Sequence, residues 1–203
     1  MAGTAGVPLL VVVSGPSGVG KDTMLERLAE IDHDLPVHFV VTATTRPPRL
    51  GERNGVNHHF LDRASFEQMI ERGELLEYAS VYGNYYGVPK SQVREALGRG
   101  RHVLLRVDVQ GAERLRTVTP EAVFVFVLPP SIETLATRLR ARGKDAPDSI
   151  RTRLAAARAE IEQATRFDYR IVNGDGSLDE SVRELIEIIR RESRRLPPRR
   201  VSM

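Results

Sequence analysis

A glycine-rich segment near the amino end has the residue types and spacing of a phosphate-binding loop. From Gly15 it runs Gly-Pro-Ser-Gly-Val-Gly, and Lys21 follows directly. Glycines let consecutive backbone N–H groups turn inward around an anion, and a helix that begins at the lysine adds positive potential there. The lysine can neutralise the β- and γ-phosphates. We predict that ATP binds to Gly15, Pro16, Ser17, Gly18, Val19, Gly20, Lys21, Asp22 and Thr23.

The residues after Lys21 differ from the usual phosphate-loop pattern. A Ser or Thr normally comes next, and its hydroxyl binds the Mg²⁺ that accompanies the triphosphate. Here Asp22 occupies that position, and Thr23 comes one residue later. Carboxylate oxygens are hard ligands that Mg²⁺ accepts directly or through water. We therefore predict that Asp22 or Thr23 supports a magnesium ion.

Strands and helices alternate along the chain around this loop. The β-branched run from Leu9 to Ser14 predicts a buried parallel strand, and residues 21–30 have the apolar spacing of a helix. Further strands are predicted at 37–42, 75–82, 102–107, 123–128 and 169–172, and further helices at 63–72, 90–98, 132–142, 146–164 and 178–191. Such alternation is typical of an α/β fold whose parallel sheet is covered by helices on both faces.

Composition limits the remaining possibilities. The 203 residues are 41% hydrophobic and 28% charged, as in globular proteins, and the absence of cysteine excludes disulfides and thiolate metal sites. No signal peptide or membrane span is predicted, so we expect a cytoplasmic protein. Six arginines and one glutamate lie between Arg190 and Arg200. This tail, which we expect to be solvated, thus carries +5, so with a net charge of +3 the rest of the chain is about −2 and does not offer a basic nucleic-acid surface.

A second group of side chains suits phosphate as well. Arg46 and Arg49 are three residues apart on a segment stiffened by two prolines. A guanidinium binds two phosphate oxygens at once, which makes arginine the usual residue for fixed phosphate sites. Two such groups beside a triphosphate loop predict a second phosphate site. The alternative is a solvated loop with two surface arginines.

Two carboxylates, Glu77 and Asp108, come later in the chain. An ionised carboxylate only accepts hydrogen bonds, so each suits a ligand that presents N–H donors. The alternatives are a solvated Glu77 and an Asp108 that contacts Mg²⁺ through water at the end of its strand. Arg106, two residues before Asp108, weakens a metal role there.

Several segments share their order and spacing with a known family. They are Thr42-Ala-Thr-Thr-Arg-Pro-Pro-Arg-Leu-Gly-Glu-Arg-Asn-Gly, Glu77, Gly83-Asn-Tyr-Tyr-Gly-Val-Pro, Val107-Asp-Val-Gln-Gly and Val125-Phe-Val-Leu-Pro-Pro-Ser. From about residue 8 to residue 190 the chain resembles guanylate kinase. The resemblance implies a P-loop nucleoside-monophosphate-kinase fold, a three-layer α/β sandwich, as one domain over residues 1–203. Within it we expect a core of residues 8–43, 90–142 and 150–191, a GMP-binding insertion at 44–89, a lid at about 143–149 and a basic tail at 192–203.

The resemblance also implies the reaction and the acceptor site. The enzyme would move the γ-phosphoryl group of ATP to GMP with Mg²⁺, giving ADP and GDP. The implied GMP-binding residues are Thr42, Arg46, Arg49, His58, Glu77, Tyr86, Val88 and Asp108. His58 replaces a tyrosine of the family, and Val88 replaces a Ser or Thr, so Thr42 or a backbone N–H must serve guanine O6.

The histidine at this position suggests a dependence on pH. Neutral imidazole can donate one hydrogen bond to phosphate, and imidazolium would add a charge. We therefore expect GMP binding to tighten as pH falls through about 6 to 7. The alternative is an ordinary half-exposed His58 next to His59.

Arginines also flank the expected lid. They are Arg138, Arg142, Arg151, Arg153 and Arg158. Phosphoryl transfer spreads negative charge over the equatorial oxygens, so cations that arrive on closure speed it. The resemblance assigns Arg142 and Arg153 to this role and places Asn173 near the adenine of ATP. The expected catalytic residues are Lys21, Arg46, Arg142 and Arg153.

Two other functions remain open from the sequence. One is a related P-loop kinase whose acceptor is a phosphorylated ribose, which would not need Glu77 and Asp108. The other is a GMP- or peptide-binding module without activity, although such relatives have usually lost the lysine that is present here as Lys21. The expected partners are ATP and GMP, without nucleic acid or membrane, for a monomer or homo-oligomer.

Overall fold

The computed structural model describes residues 6–81, 83–141 and 147–201. Its strands are β1 (Leu10–Ser14), β2 (Val37–Phe39), β3 (Ala43–Thr44), β4 (His59–Phe60), β5 (Leu75–Val81), β6 (Asn84–Pro89), β7 (His102–Arg106), β8 (Val123–Leu128) and β9 (Tyr169–Val172). Its helices are α1 (Lys21–Ile31), α2 (Arg63–Glu71), α3 (Lys90–Gly98), α4 (Val109–Val118), α5 (Ile132–Ala141), α6 (Pro147–Glu162) and α7 (Leu178–Ser193), with a 3₁₀ turn at Gln163–Arg166 after α6.

Five parallel strands form the central sheet in the order β2-β7-β1-β8-β9. β1 lies in the middle, where Leu10 is in register with Val103 of β7, and Val11 with Val123 of β8. The chain adds β2 and β7 on one side of β1, and β8 and β9 on the other. A crevice therefore opens at the carboxyl end of β1, where ligands usually bind in such sheets. Residues 15–20 leave the sheet at this crevice.

The two faces of the sheet are covered by different helices. Successive side chains of a strand point to opposite faces. Val11 and Val13 accordingly pack with buried residues of α1 and α7, whereas Leu10 and Val12 pack with those of α3 and α4. Each of these four side chains is at most 1% exposed, and full burial of such a side chain contributes about 1.5–3 kcal/mol. The predicted α/β class, with a parallel sheet between helices, is confirmed.

A second, smaller sheet lies between residues 43 and 89. Its order is β4-β3-β6-β5, and β6 pairs antiparallel with both β3 and β5. Helix α2 covers it through Phe66, which is fully buried and stacks on Tyr85 at 5.2 Å. The sequence predicts mainly a loop and one extended segment here. Strands of two residues such as β3 and β4 have no periodic signal, so only the pairing of β4 with β3, and of β3 with β6, reveals them.

Helix α4 is an element that the sequence pattern does not predict. Asp108 is its N-cap, and the Oδ1 of Asp108 accepts a hydrogen bond of 2.6 Å from the backbone N–H of Gly111. An Asp in this place satisfies a helix N–H that has no partner within the helix. Strand β2 is also shorter than predicted, since it ends at Phe39, and Thr42 lies in the irregular connection to β3.

The basic tail is attached to the core. The guanidinium of Arg199 is 16% exposed and donates to Glu192 Oε2 at 2.7 Å and to the carbonyl of Ala122 at 2.9 Å. Tyr169 donates to the other oxygen of Glu192 at 2.5 Å. A buried carboxylate is stable only with such partners. The tail is therefore anchored at Arg199, whereas Arg194, Arg195 and Arg200 are exposed, as expected for a solvated tail.

The helices also bear on the question of a membrane span. The longest, α6 and α7, have 16 residues each, and an apolar helix needs about 20 residues to cross a bilayer. Throughout the part of the chain that the structure describes, no helix is both long and apolar enough to do so.

Candidate active site

The loop between β1 and α1 has a conformation that only its glycines permit. Gly15, Gly18 and Gly20 have φ angles of 142°, 90° and 99°, which residues with a Cβ rarely adopt. A Cβ on Gly15 would lie 2.3 Å from the carbonyl oxygen of Val127. Because α1 begins at Lys21, its free N–H groups and the positive end of its dipole face the loop. The local geometry is that of an anion cradle.

The ammonium group of Lys21 folds back over this cradle. Its Nζ donates to the carbonyls of Gly15 at 2.5 Å and Pro16 at 3.0 Å. Burial is the main cause that lowers the pKa of Lys21 to about 8, and Arg106 lowers it further, while Asp22 partly offsets both. A bound polyphosphate would stabilise the charged form, because an opposite charge favours it.

Two side chains support the loop from behind. The amide Nδ2 of Asn173 donates to the carbonyl of Val19 at 2.9 Å, and Arg138 donates to the same carbonyl at 3.1 Å. Arg138 also binds the carboxylate of Asp175 at 2.6 Å. Asn173 is 5% exposed. Any effect of this residue on ATP binding would therefore act through the conformation of the phosphate loop.

Helix α6 carries charged groups towards the phosphate loop. The carboxylate of Glu160 interacts electrostatically with Lys21 and Asp108, and burial raises the pKa of Glu160. Arg153 is seven residues, or about two turns, before Glu160 and therefore lies on the same face of α6. Ala157, four residues after Arg153 and three before Glu160, lies on this face as well and packs in a cluster with Leu135 of α5.

Part of the expected lid is not described. Arg142 and residues 143–146 lie outside the described residues. Helix α6 begins at Pro147, so the last residues of the lid predicted at 143–149 belong to this helix. The role predicted for Arg142 remains a prediction.

The residue after Lys21 forms an ion pair across the crevice. Asp22 Oδ1 accepts a hydrogen bond from Nη1 of Arg106, the last residue of β7. Both side chains are partly exposed, 54% for Asp22 and 41% for Arg106. Asp22, one of the two predicted metal ligands, therefore has an arginine as its partner. Thr23, the other, is exposed in the first turn of α1.

On the acceptor side, Arg46 is held by a carboxylate. Its two terminal nitrogens donate to the two oxygens of Glu52, both at 2.7 Å, and the guanidinium is 10% exposed. The backbone N–H of Arg49 also donates to Glu52 at 2.7 Å. These bonds lower the pKa of Glu52 to about 2 and raise that of Arg46. The hydroxyl of Thr44, which accepts from the backbone N–H of Arg46, fixes where this segment begins.

His58 lines two neighbouring clefts. One contains Arg46, Arg49 and Glu52, called the clamp from here on, and the other is lined by Glu77 and Asp108 and is called the base cleft. The Nδ1 of His58 is 2.8 Å from Oγ1 of Thr42, and its ring contacts Tyr86 edge to face at 6.2 Å. Burial lowers the pKa of His58, and the positive charges of Arg46 and Arg106 lower it further. The lowered pKa favours the neutral imidazole at pH 7, and protonation takes place at a lower pH than for an ordinary histidine.

The base cleft has a volume of about 290 Å³, and Glu77, Val88 and Asp108 are among the residues that line it. The carboxylate of Glu77 is 7% exposed and accepts a hydrogen bond of 2.5 Å from Nε of Arg114 on α4. Burial is the main cause that raises the pKa of Glu77. Val88 is 1% exposed and belongs to the core, so its side chain offers the cleft only an apolar wall.

The base cleft meets a second cleft of about 570 Å³, which contains Arg46 and Asp22. The residues that line both are Thr42, His58 and Arg106. The structure thus brings together the predicted acceptor residues Thr42, Arg46, Arg49, His58, Glu77, Tyr86, Val88 and Asp108 in two adjoining clefts, beside the predicted ATP loop.

Sequence reasoning missed four side chains of this site: Glu52, Arg106, Arg114 and Glu160. One of them had a usable signal. Arg114 follows Asp108 and Gly111 at intervals of three residues, which would place the three on one face of a helix, had α4 been predicted. The ion pairs Arg46–Glu52 and Asp22–Arg106 depend on contacts that no sequence spacing indicates.

Comparison with known proteins agrees with this site. A family model described as guanylate kinase matches residues 8–192. The guanylate kinase of Carboxydothermus hydrogenoformans is 46% identical over 96% of this chain and 92% of its own, and that of Gloeobacter violaceus is 53% identical over 83% and 82%. The crystal structure of guanylate kinase from Anaplasma phagocytophilum has a TM-score of 0.75 at 32% identity, covering 94% of this chain and 89% of that one.

A glycine cradle at the centre of a parallel sheet, facing arginine-lined clefts on a second sheet, defines a P-loop kinase of the nucleoside monophosphate class. Because the family model spans almost the whole chain, the chain belongs to the guanylate kinase family. It is an enzyme that phosphorylates GMP to GDP with ATP.

Proposed function

We propose that phosphoryl transfer takes place where the two clefts meet beside the phosphate loop. The observation that carries this proposal is the shared lining of the clefts by Thr42, His58 and Arg106. Asp22, next to Lys21 of the cradle, and Arg46 of the clamp line the same cleft. A donor and an acceptor phosphate held at these places would face each other, and positioning of this kind supplies much of a kinase's rate.

On the donor side, residues 15–23 hold the polyphosphate of ATP. The backbone N–H groups at the start of α1 bind its oxygens, and Lys21 exchanges the carbonyls of Gly15 and Pro16 for the β- and γ-phosphates. Asn173 keeps the loop in place through Val19. Arg153, on the same face of α6 as Glu160, supplies a further cation, and Arg142 is proposed to join it from the lid.

On the acceptor side, Arg46, Arg49, Tyr86 and His58 bind the phosphate of GMP. Arg46 is already oriented by Glu52, so little side-chain freedom is lost on binding. Residues 44–89 are therefore proposed to act as the GMP-binding insertion of a single domain that extends over the whole chain.

The guanine base is proposed to lie in the cleft lined by Glu77 and Asp108. Their carboxylates accept hydrogen bonds from N1–H and from the N2 amine. Arg114 holds Glu77 and keeps it ionised beside the apolar wall of Val88, and Thr42 serves guanine O6. A buried carboxylate without a donor opposite it discriminates strongly against the wrong base.

Magnesium is proposed as the cofactor. Among the described residues no group of three or more His, Cys, Asp or Glu could enclose a metal. The carboxylate of Asp22 and the hydroxyl of Thr23 in the first turn of α1 fit Mg²⁺, which is commonly held by substrate phosphates, water and one or two protein oxygens. Thr23 and, through water, Asp22 would supply those oxygens. The ion would neutralise developing charge on the phosphates.

We propose that the enzyme works in the cytoplasm on ATP and GMP, without nucleic acid or membrane. A coupled assay with ATP and each of GMP, AMP, CMP and UMP tests the acceptor. We expect kcat/KM for GMP to exceed that for AMP by at least about a thousandfold, because Glu77 and Asp108 repel the acceptor edge of adenine. Equal rates with the two would contradict the base cleft.

A further inference from the structure

Arg106 occupies the point at which the clefts join, but neither the phosphate-loop pattern nor the clamp pattern includes it. It ends β7, next to the central strand β1 that leads into the phosphate loop. Its side chain lines both the base cleft and the cleft that contains Arg46. Asp22, next to Lys21 of the phosphate loop, lines the cleft of Arg46 and accepts a hydrogen bond from Arg106, so the guanidinium is beside the donor loop as well as the acceptor clamp.

The electrostatic influence of Arg106 reaches both sites. Its charge lowers the pKa of Lys21 in the donor cradle and that of His58 beside the acceptor clamp. A single guanidinium therefore acts on one group of the donor cradle and on one group beside the acceptor clamp. Negative charge develops in this region when a phosphoryl group passes from donor to acceptor.

Asp22 keeps Arg106 at this point. Without a carboxylate nearby, Lys21, Arg106 and Arg46 would repel one another across the crevice. The pair of Asp22 and Arg106 is about half exposed, so replacing one carboxylate contact with a phosphate contact costs little. Asp22 can hold the arginine in the absence of substrates and release part of its hydrogen bonding when they arrive.

We propose that Arg106 is a further catalytic residue, which contacts the phosphoryl group in transfer, and that Asp22 is the positioning residue that holds it there. The inference rests on the phosphoryl transfer described above. In that step a phosphate oxygen of GMP forms a bond to the γ-phosphorus as the bond to the bridging oxygen breaks, and the electron pair remains on ADP. Arg106 would donate hydrogen bonds to the equatorial oxygens, whose charge rises during this exchange.

A double-mutant cycle separates direct action from simple pairing. Arg106→Gln, Asp22→Asn and the double variant are assayed with ATP, GMP and saturating Mg²⁺, so that weakened metal binding does not affect the rates. We expect Arg106→Gln to lower kcat at least about tenfold, with KM for GMP changed less than about threefold, because the contact strengthens in the transition state. A smaller fall in kcat, still at least about threefold, should appear when Arg106→Gln is added to Asp22→Asn, because Arg106 keeps its charge there but is no longer held in place.

A purely structural role predicts another result. If Arg106 only neutralises Asp22, then Arg106→Gln costs no rate once Asp22→Asn is present, and that outcome would overturn the proposal. Arg106→Lys keeps the charge and should give a rate between those of the wild type and Arg106→Gln. A rate for Arg106→Lys no higher than for Arg106→Gln would also overturn it.

A matched control lies on α3. Arg99 and Glu95 form an exposed ion pair of 2.7 Å outside both clefts. Arg99→Gln and Glu95→Gln should leave kcat within about twofold, as expected for a surface pair. The wild-type rate with ATP and GMP tests the kinase reaction itself. An inactive wild type would contradict the proposed function, whereas an active wild type with an equally active Arg106→Gln would contradict only the role of Arg106.

Discussion

The proposed donor and acceptor sides of this enzyme would recognise phosphate by different means. On the donor side the proposed binding groups are mainly backbone N–H groups, arranged by three glycines with positive φ at the end of a buried strand. On the acceptor side they are side chains on and beside the small sheet, and three of them have another side chain as partner. Arg46 is held by Glu52, Glu77 by Arg114, and His58 lies against Thr42.

This difference explains which departures from the family pattern each side tolerates. A backbone cradle depends on chain conformation, so Asp22 can follow the lysine without disturbing it. A site made of paired side chains depends on both members of each pair, so a single change there alters affinity or base choice. A change on the donor side should therefore remove most of the activity at once. Changes on the acceptor side should affect phosphate affinity and base preference separately.

The largest effect is expected in the donor cradle. Lys21→Ala removes the cation that follows the charge of the transferred group, and kcat/KM should fall about a thousandfold or more. Steady-state kinetics with saturating GMP measure this. Lys90→Ala is the control, because Lys90 binds the carbonyl of Gly73 away from the clefts, and it should retain activity within about twofold. A loss below tenfold for Lys21→Ala would contradict the cradle assignment.

Removal of the acceptor clamp should have the next largest effect, and on GMP alone. Arg46→Ala is expected to reduce kcat/KM for GMP about a hundredfold, while KM for ATP changes less than about threefold. Arg63→Ala is a suitable control, since Arg63 pairs with Glu67 on the exposed face of α2. An equal loss of ATP and GMP affinity in Arg46→Ala would show that the two sides do not separate.

The base cleft should give a smaller and pH-dependent effect. Glu77→Gln replaces a pure acceptor, and the preference for GMP over AMP should fall about tenfold. Because burial raises the pKa of Glu77 above its usual 4.5, the wild-type kcat/KM for GMP should fall on acidification at a higher pH than for an ordinary carboxyl. That loss appears as the carboxylate is protonated.

The pH profile of the Gln variant provides the check on this assignment. Glu77→Gln should lack this acid limb, and the exposed Glu74→Gln should keep it. The same acid limb in both variants would assign the proton to another group.

His58 should have the smallest effect. Burial and the charge of Arg46 lower its pKa below 6.5, so the ring is neutral at pH 7 and above. KM for GMP should be flat from about pH 7 to 8 and decrease two- to threefold only at lower pH, where imidazolium adds charge. His58→Tyr should abolish the decrease and change KM at pH 7.5 less than threefold. A KM that decreases between pH 8 and 7 would contradict the lowered pKa.

Much of the fold follows from local patterns. The helix predicted at 90–98 and the strand at 169–172 agree with α3 and β9, because apolar periodicity and turn residues act within a few positions of one another. The small sheet was not predictable in this way. Its strands β3 and β4 have two residues each, and they are defined by partners far along the chain.

The sequence by itself determined the phosphate loop, since glycine and lysine act there through local backbone geometry and charge. It also predicted Arg46, Glu77 and Asp108 as acceptor residues, because the order and spacing of the motifs that contain them can be compared with a family without a structure. Only the tertiary structure decided what each of these side chains contacts: Glu52 on Arg46, Arg114 on Glu77, and Arg106 on Asp22. The partners of the last two ion pairs are 37 and 84 residues apart in the sequence. Sequence periodicity does not indicate such pairs, because they form only when strands and helices pack together.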